Sequence, residues 1–355
     1  MDEKRLKYWL ALSMIRGIER FNAGVLAESL GGPEEVFRAA PDALPAPLWK
    51  LLSDFSGWDR VEQEMELARK KGAALVSYED PSFPQSLKRT YDPPCLLYMM
   101  GGCYREDIPA VAIVGTRHPS QYGTLMAETL GRDLAYSGVN VVSGMARGCD
   151  MSGHKGALKA GGFTTAVLGT GVDEVYPREA RKLYEEIVEK GVVISEFPMG
   201  TPPQPRNFPK RNRIISGLSL GVAVVEAPLR SGSLMTARLS LEYGREVFAF
   251  PGQVNSHRSS GTNRLIKDGA ALIEGAKDVL DALGLSLVDR PEAAVMMPEG
   301  DEKLIFDALG ASVVHIDSLC EKTGLSAAKA STVLLEMELK GMVEQKPGKA
   351  FLKRV

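Results

Sequence analysis

Seven arginines and a lysine stand in short segments rich in glycine and proline. They are Arg117 in GTRHPSQYG, Arg147 in SGMARGCDMSG, Arg206, Lys210, Arg211 and Arg213 in EFPMGTPPQPRNFPKRNR, Arg230 in APLRSGSLMTA and Arg258 in PGQVNSHRSSGTN. Glycine lets a backbone approach a ligand closely, the N–H groups at a helix start favour anions, and the guanidinium fork matches phosphate oxygens in pairs. These residue types together predict a phosphate-binding rim. Residues 201–213 carry four cations and no acid, inside a chain whose 43 Lys+Arg and 45 Asp+Glu leave a formal net charge of −2. Surface arginines commonly cap helices or pair with carboxylates, so the signal is the convergence of seven and not any one of them. Tyr122, Tyr176, Phe197 and Phe208 interleave with the cations; aromatics at such positions are more often core than stacking platforms, so the arginines carry the reading.

Stepping from these segments to what must hold them, each follows a short apolar run or opens a helical pattern. The runs are VAIVG (111–115), VNVVSG (139–144), TTAVLG (164–169), VVISE (192–196), GVAVVEA (221–227) and EVFAFPG (246–252). Apolar on both faces and separated by helical intervals, they predict buried parallel strands in right-handed βαβ crossovers. The fold class is α/β, a Rossmann-like doubly wound parallel sheet over 76–283, and in such a sheet ligands bind beyond the carboxyl ends of the strands. Before it, residues 1–75 show apolar positions at three-to-four spacing, such as Leu6, Trp9, Leu10, Ile15 and Ile18, and form a helical SAM-like or helix-hairpin-helix-like domain broken at Gly31-Gly32-Pro33. Residues 284–300, with Pro291 and Pro298 and no sustained period, read as a linker. Residues 301–355 run helix, helix, longer helix and hairpin, the order of a winged helix-turn-helix.

Several functions are excluded or disfavoured. A length of 355 residues predicts two or three domains, and 44% hydrophobic with 25% charged residues is ordinary for folded chains. Cys95, Cys103, Cys149 and Cys320 form no C-x-x-C pair, and with no apolar run long enough to span a bilayer they predict reduced thiols in a cytoplasmic protein. His118, His154, His257 and His315 fall in no metal-binding frame, so no metal is expected. His118 and His257 stand in rim segments and suit either a ligand contact or a polar surface, while His315 precedes a helix and suits capping. GTRHPSQYG lacks the G-x-G-x-x-G spacing, no acid closes the next strand, and no G-x-x-x-x-G-K-[ST] occurs, so neither a dinucleotide cofactor nor a P-loop is supported. No cofactor is expected.

The succession VAIVGTRHPSQYG, VVSGMARGCDMSGHKGAL, LGTGVDEVYP, SEFPMGTPP, FPKRNRIISGLS, VVEAPLRSGSLMTARLSLEYGREVFAFPG and GTNRLIKDGA resembles the DNA-processing protein A (DprA/Smf) family, in order and spacing, over most of residues 75–280. The resemblance implies a recombination mediator of natural transformation that binds and protects single-stranded DNA and loads RecA on it, works as a homodimer and performs no catalytic turnover. Carried over by motif, it places single-strand contacts on Arg117, on Ser143, Gly144, Ala146 and Gly148, on Phe208, Lys210, Arg211, Asn212 and Arg213, and on Ser231, Gly232 and Ser233. Arg147 and Arg230 add cations to the same loops. Cys149 stands where isoleucine is more usual, and Arg147 where many relatives have lysine.

The winged helix is electrostatically neutral, with eight Lys+Arg against eight Asp+Glu over 301–355 and with Glu336 and Glu338 near the end of the 326–340 helix. Phosphate contacts supply most non-specific DNA affinity, so this unit predicts a protein contact or secondary DNA contact before sequence-specific readout. Only its wing is basic, at Lys346, Lys349, Lys353 and Arg354. The rival function is a nucleotide phosphoribohydrolase of the lysine-decarboxylase-like (LOG) group. In that group P-G-G-x-G-T-x-x-E supplies an acid, but here SGSLMTARL puts Leu239 at the glutamate position, which leaves Glu196 and Glu226 as the substitutes to consider.

Overall fold

The computed structural model describes residues 2–285, 300–310, 313–339 and 342–353. Most of the expected linker, at 286–299, lies outside the described residues, as does Arg354. Two compact units appear, Met1–Asp289 and Arg290–Val355.

The first unit opens with five helices: α1 (Glu3–Met14), α2 (Ala23–Leu30), α3 (Pro33–Arg38), α4 (Ala46–Ser53) and α5 (Trp58–Lys71). Their ends follow local chemistry. The Asp2 carboxylate accepts from the Lys4 N–H to cap α1, Gly31 in the left-handed region stops α2, and Pro33 starts α3 where its missing N–H is harmless. Next come β1 (Ala74–Ser77), the one-turn α6 (Gln85–Lys88) and β2 (Leu96–Gly101).

The βα alternation then runs β3 (Ala110–Val114), α7 (Gln121–Tyr136), β4 (Asn140–Ser143), α8 (Cys149–Lys159), β5 (Thr164–Val167), α9 (Arg181–Lys190) and β6 (Val192–Ser195). It continues through α10 (Asn207–Leu218), β7 (Gly221–Val224), α11 (Gly232–Glu242), β8 (Glu246–Ala249), α12 (Ser260–Lys267), β9 (Ala271–Leu272) and α13 (Ala276–Ala282).

The sheet order is β1-β2-β6-β5-β4-β3-β7-β8-β9, with β3 to β9 parallel and the β1–β2 and β2–β6 pairs antiparallel. The six strands expected from the sequence are β3 to β8. β1, β2 and β9 were not foreseen: β1 and β2 border the proline-rich stretch 81–94, without the strand-helix rhythm, and β9 has two residues.

Alternate side chains of the central strands point to opposite faces and make two cores. Ala112 and Val114 of β3 join a cluster with Trp9, Leu10, Leu12, Tyr98, Ile214 and Leu218, so α1, β2 and α10 share one interior. Val111 and Ile113 face α7, α8 and α13 through Leu130, Leu134, Ala157 and Val279. Each large side chain buried this way contributes about 1.5–3 kcal/mol. At the seam of α1, Arg5 donates to both Glu79 carboxylate oxygens at 2.6 Å and the Trp9 indole donates to Glu79 at 3.1 Å.

Chain order reverses at β3: β4, β5 and β6 build to one side, and β7 and β8 to the other. The loops after β3 and β7 therefore diverge and leave a crevice at the carboxyl edge.

The second unit holds α14 (Gly300–Ala308), β10 (Val314–His315), α15 (Ile316–Thr323), α16 (Ala327–Leu339), β11 (Val343–Lys346) and β12 (Ala350–Lys353), with sheet order β10-β12-β11. This is the expected winged helix, and His315 caps α15 by accepting from the Asp317 N–H. Its wing cations are partly engaged: Lys346 pairs with Glu344 at 2.6 Å and Lys353 lies 3.7 Å from the Phe306 ring centre.

Helices α7 and α8 touch through glycines. A Cβ at Gly156 would stand 2.0 Å from the Glu128 carbonyl oxygen, and one at Gly131 would stand 2.2 Å from that of Gly153. Neither backbone can yield without separating the helices, so Gly156→Ala is expected to lower stability by about 1–3 kcal/mol, read as a lower urea midpoint with unchanged helical circular dichroism.

Candidate nucleic-acid interface

A crevice of about 590 Å³ occupies the carboxyl edge where the loops after β3 and β7 part, between the N-terminal turns of α10 and α11. Arg117, Ala146, Phe208, Arg211, Asn212, Arg230, Ser231, Gly232 and Ser233 line it, and Gly144 and Arg147 line a smaller adjoining hollow with Arg117, Ala146 and Phe208. The structure thus brings together residues from Arg117 to Ser233, carried on loops after different strands, as an open parallel sheet requires. Ser231 caps α11 by accepting from the Ser233 N–H, and this first turn of α11 lines the crevice.

Below this rim lie two buried charges of opposite sign, each held by backbone groups. Arg211 is 4% exposed and donates through Nη1 to the Gly144 carbonyl at 2.5 Å and to the Val167 carbonyl. Asp150, 6% exposed, accepts from the N–H groups of Gly144 at 3.2 Å and Ala146 at 3.4 Å. Met145 between them has φ 59°, the left-handed region that a residue with a side chain enters only at a cost of about 1–2 kcal/mol. A Cβ on Gly144 would fall 2.5 Å from the guanidinium, so only glycine admits Arg211 there. Burial pushes the Asp150 carboxyl up to about 6 against the opposing pull of Arg211, the two N–H groups and Arg117. Burial also brings the Arg211 guanidinium down to about 10, with Asp150 opposing, so it stays charged at neutral pH. Asp150 is the functional candidate that sequence reasoning passed over; its signal was a single acid closing the otherwise cationic SGMARGCD segment.

Aromatic surface lies over this pair. Phe208 sits 5.5 Å from the Arg117 guanidinium, 6.0 Å from that of Arg211 and 5.7 Å from the Tyr176 ring. Arg117 is exposed and, like Arg230, has no carboxylate partner among the described residues.

Other expected site residues stand elsewhere. Lys210 and Arg213, three apart, share a face of α10 turned away from the crevice, whereas Phe208, Arg211, Asn212 and Ile215 share the face turned toward it. Arg213 is committed to Glu196 and Asp92 and donates to the Asp92 carbonyl at 2.6 Å. Ser143 is buried and donates to the Ile113 carbonyl at 2.5 Å, so it shapes the loop from beneath. Gly148 caps α8. Arg147 pairs with Glu179, Arg258 donates to the His118 carbonyl at 3.1 Å, and Arg206 donates to Gln204 at 2.9 Å. Of the aromatics, Phe197 lines a different cavity and the Tyr122 hydroxyl donates to the Pro251 carbonyl. His118 lines the crevice.

The two carboxylates considered for hydrolysis are occupied: Glu196 by Arg213, and Glu226 by the N–H and hydroxyl of Ser120 at 2.8 and 2.6 Å. Among the described residues no group of three or more His, Cys, Asp or Glu side chains could hold a metal, and no helix is long and apolar enough to cross a membrane.

Residues 74–284 match the family model described as DNA recombination-mediator protein A, and residues 289–349 match the DprA winged helix domain. Protein Smf of Synechocystis is 32% identical over 400 residues, covering 100% of each chain. The X-ray structure of DNA processing protein A from Streptococcus pneumoniae superposes with a TM-score of 0.68 at 34% identity, over 77% of this chain and 95% of that one. A structure of DNA processing protein A from Helicobacter pylori, described as giving insight into its single-stranded DNA binding mode, superposes with a TM-score of 0.54 at 33% identity, over 59% and 95%.

Removing Arg211 strands Asp150 and two carbonyls in the interior, so Arg211→Ala is expected to cost about 3–5 kcal/mol in urea unfolding. The folded Asp150 value lies above the ordinary 3.8, so its stabilising contribution is intact below that pH and is lost as the pH rises through about 6. Asp150→Asn should remove on the order of 3 kcal/mol of this pH dependence, measured as urea midpoints between those two values.

Proposed function

This chain belongs to the DNA recombination-mediator protein A family, a family of DNA-binding mediators and not of enzymes, and from that premise we propose that its crevice holds single-stranded DNA. The observation that carries the reading is the juxtaposition of Arg117, without a carboxylate partner among the described residues, with the Phe208–Tyr176 ring pair. Single strands bind where cations meet phosphates and aromatic faces meet unpaired bases, each stacked base contributing about 1–3 kcal/mol. The first turn of α11 and the exposed Arg230 supply further phosphate contacts on the same rim. Arg211 and Asp150 act beneath it: they fix the 144–146 turn and leave Arg117 and Phe208 in place to meet the strand.

The finer role follows the family. The protein shields incoming single strands during natural transformation and loads RecA on them, as a homodimer, from a cytoplasmic location. The contact set includes Arg117, Gly144, Ala146, Arg147, Phe208, Asn212, Arg230, Ser231, Gly232 and Ser233 at the surface. Ser143, Gly148 and Arg211 serve as supports, and Lys210 and Arg213 lie outside the crevice proper. In the winged helix Lys329 is paired with Asp301 at 2.6 Å, and the exposed α16 face presents Ser331, Thr332, Leu335 and Glu336, a surface suited to protein and not to phosphate.

Fluorescence anisotropy of a labelled oligothymidylate and of the matched duplex, across a salt series, tests the reading. The wild type should prefer the single strand, and Arg117→Ala should weaken it about tenfold with a salt slope reduced by about 0.7. Equal affinity for single strand and duplex, or an Arg117→Ala variant with wild-type affinity, overturns the assignment.

A further inference from the structure

A second cavity, of about 540 Å³, opens on the Lys210 and Arg213 face of α10. Its walls come from separate parts of the first unit: Arg16 just beyond α1, Arg60 in the first turn of α5, Asp92 and Glu196 from loops of the sheet core, and the two α10 cations. Both acids are engaged within the wall, since Arg213 pairs with Glu196 and lies 3.7 Å from Asp92, which also accepts from the Tyr243 hydroxyl. Arg16 and Arg60 are exposed and have no carboxylate partner among the described residues. Two uncompensated guanidinium groups on one cavity whose carboxylates face a third raise the local potential and attract an anion.

The cavity adjoins the crevice around α10. Pro209 lines both, and along α11 the crevice touches Met235 and Thr236 while the cavity touches Leu239, one turn on and about 4.5 Å away along the axis. Pro93, Pro94, Phe197 and Pro198 add apolar surface beside the cations. A chain with a phosphate at each step and a flat base between steps fits this alternation of charged and apolar wall.

We propose that this cavity is a second subsite for the same single strand, which leaves the crevice over Pro209 and places a following phosphate between Arg16 and Arg60. The proposal rests on the single-strand reading of the crevice and assigns the N-terminal helices a part in holding DNA. Its test uses the full chain with labelled oligothymidylates of about 4 and about 20 nucleotides, at the lower end of and beyond the usual site sizes. In an Arg16→Ala/Arg60→Ala variant, whose exposed positions leave thermal unfolding unchanged, the longer oligonucleotide should bind about tenfold more weakly. Its slope of log affinity against log salt should fall by about 0.7, from the one lost phosphate contact. The shorter one should bind as to the wild type, whereas Arg117→Ala should weaken both. Wild-type affinity and slope for the longer oligonucleotide in the double variant overturn the subsite, as does an equal loss for both lengths. Failure of the wild type to bind either oligonucleotide overturns the single-strand reading itself.

Discussion

The guanidinium of Arg211, buried beside Asp150 and donating to the Gly144 and Val167 carbonyls, is the contact on which the site depends. It joins the loop after β4, the end of β5 and the first turns of α10. A cation in that position is tolerable only because its N–H groups are satisfied and an acid stands nearby, since an unpaired buried charge costs several kcal/mol. The same requirement explains the glycine at 144 and the left-handed Met145, which turns two N–H groups onto Asp150. Everything above this floor, including Phe208 and the turn carrying Ala146, inherits its position from it.

Charge in this chain is divided between two tasks. Arg211 and Arg213 hold the fold together, one against carbonyls and the other against Glu196 and Asp92. Arg117 and Arg230, exposed and without carboxylate partners among the described residues, are available to a ligand. A protein whose formal net charge is −2 can bind a polyanion only by such local segregation. The winged helix shows the opposite arrangement, its cations interspersed with acids, and this is why its recognition-helix position offers little to phosphates.

The N-terminal helices are continuous in packing with the sheet. Trp9 and Leu10 of α1 share a core with Tyr98 of β2 and Ile214 of α10, and Arg5 is clamped by Glu79 just beyond β1. The wall they give to the second cavity is therefore fixed relative to α10, as a subsite for a continuous strand needs.

Strand positions, the glycine-rich turns and the winged-helix order were legible in the sequence because each is written in local patterns: two-faced apolar runs, residues that tolerate tight turns, and three-to-four spacing. The family was legible because its motifs are contiguous. The antiparallel strands β1 and β2 were not, since the pairing of β2 with β6 depends on a partner about a hundred residues away and the prolines between β1 and β2 mask any period. Nor could sequence separate the arginines. Arg211 and Arg213 are two positions apart in one cationic run, yet helical rotation sends the first under the crevice and the second into an acidic seam. The sequence by itself determined that this chain would gather cations at the carboxyl edge of a parallel sheet. Only the tertiary structure decided which of them remain open to a ligand, because a side chain's freedom is set by the carbonyls and carboxylates that other segments bring within hydrogen-bond reach.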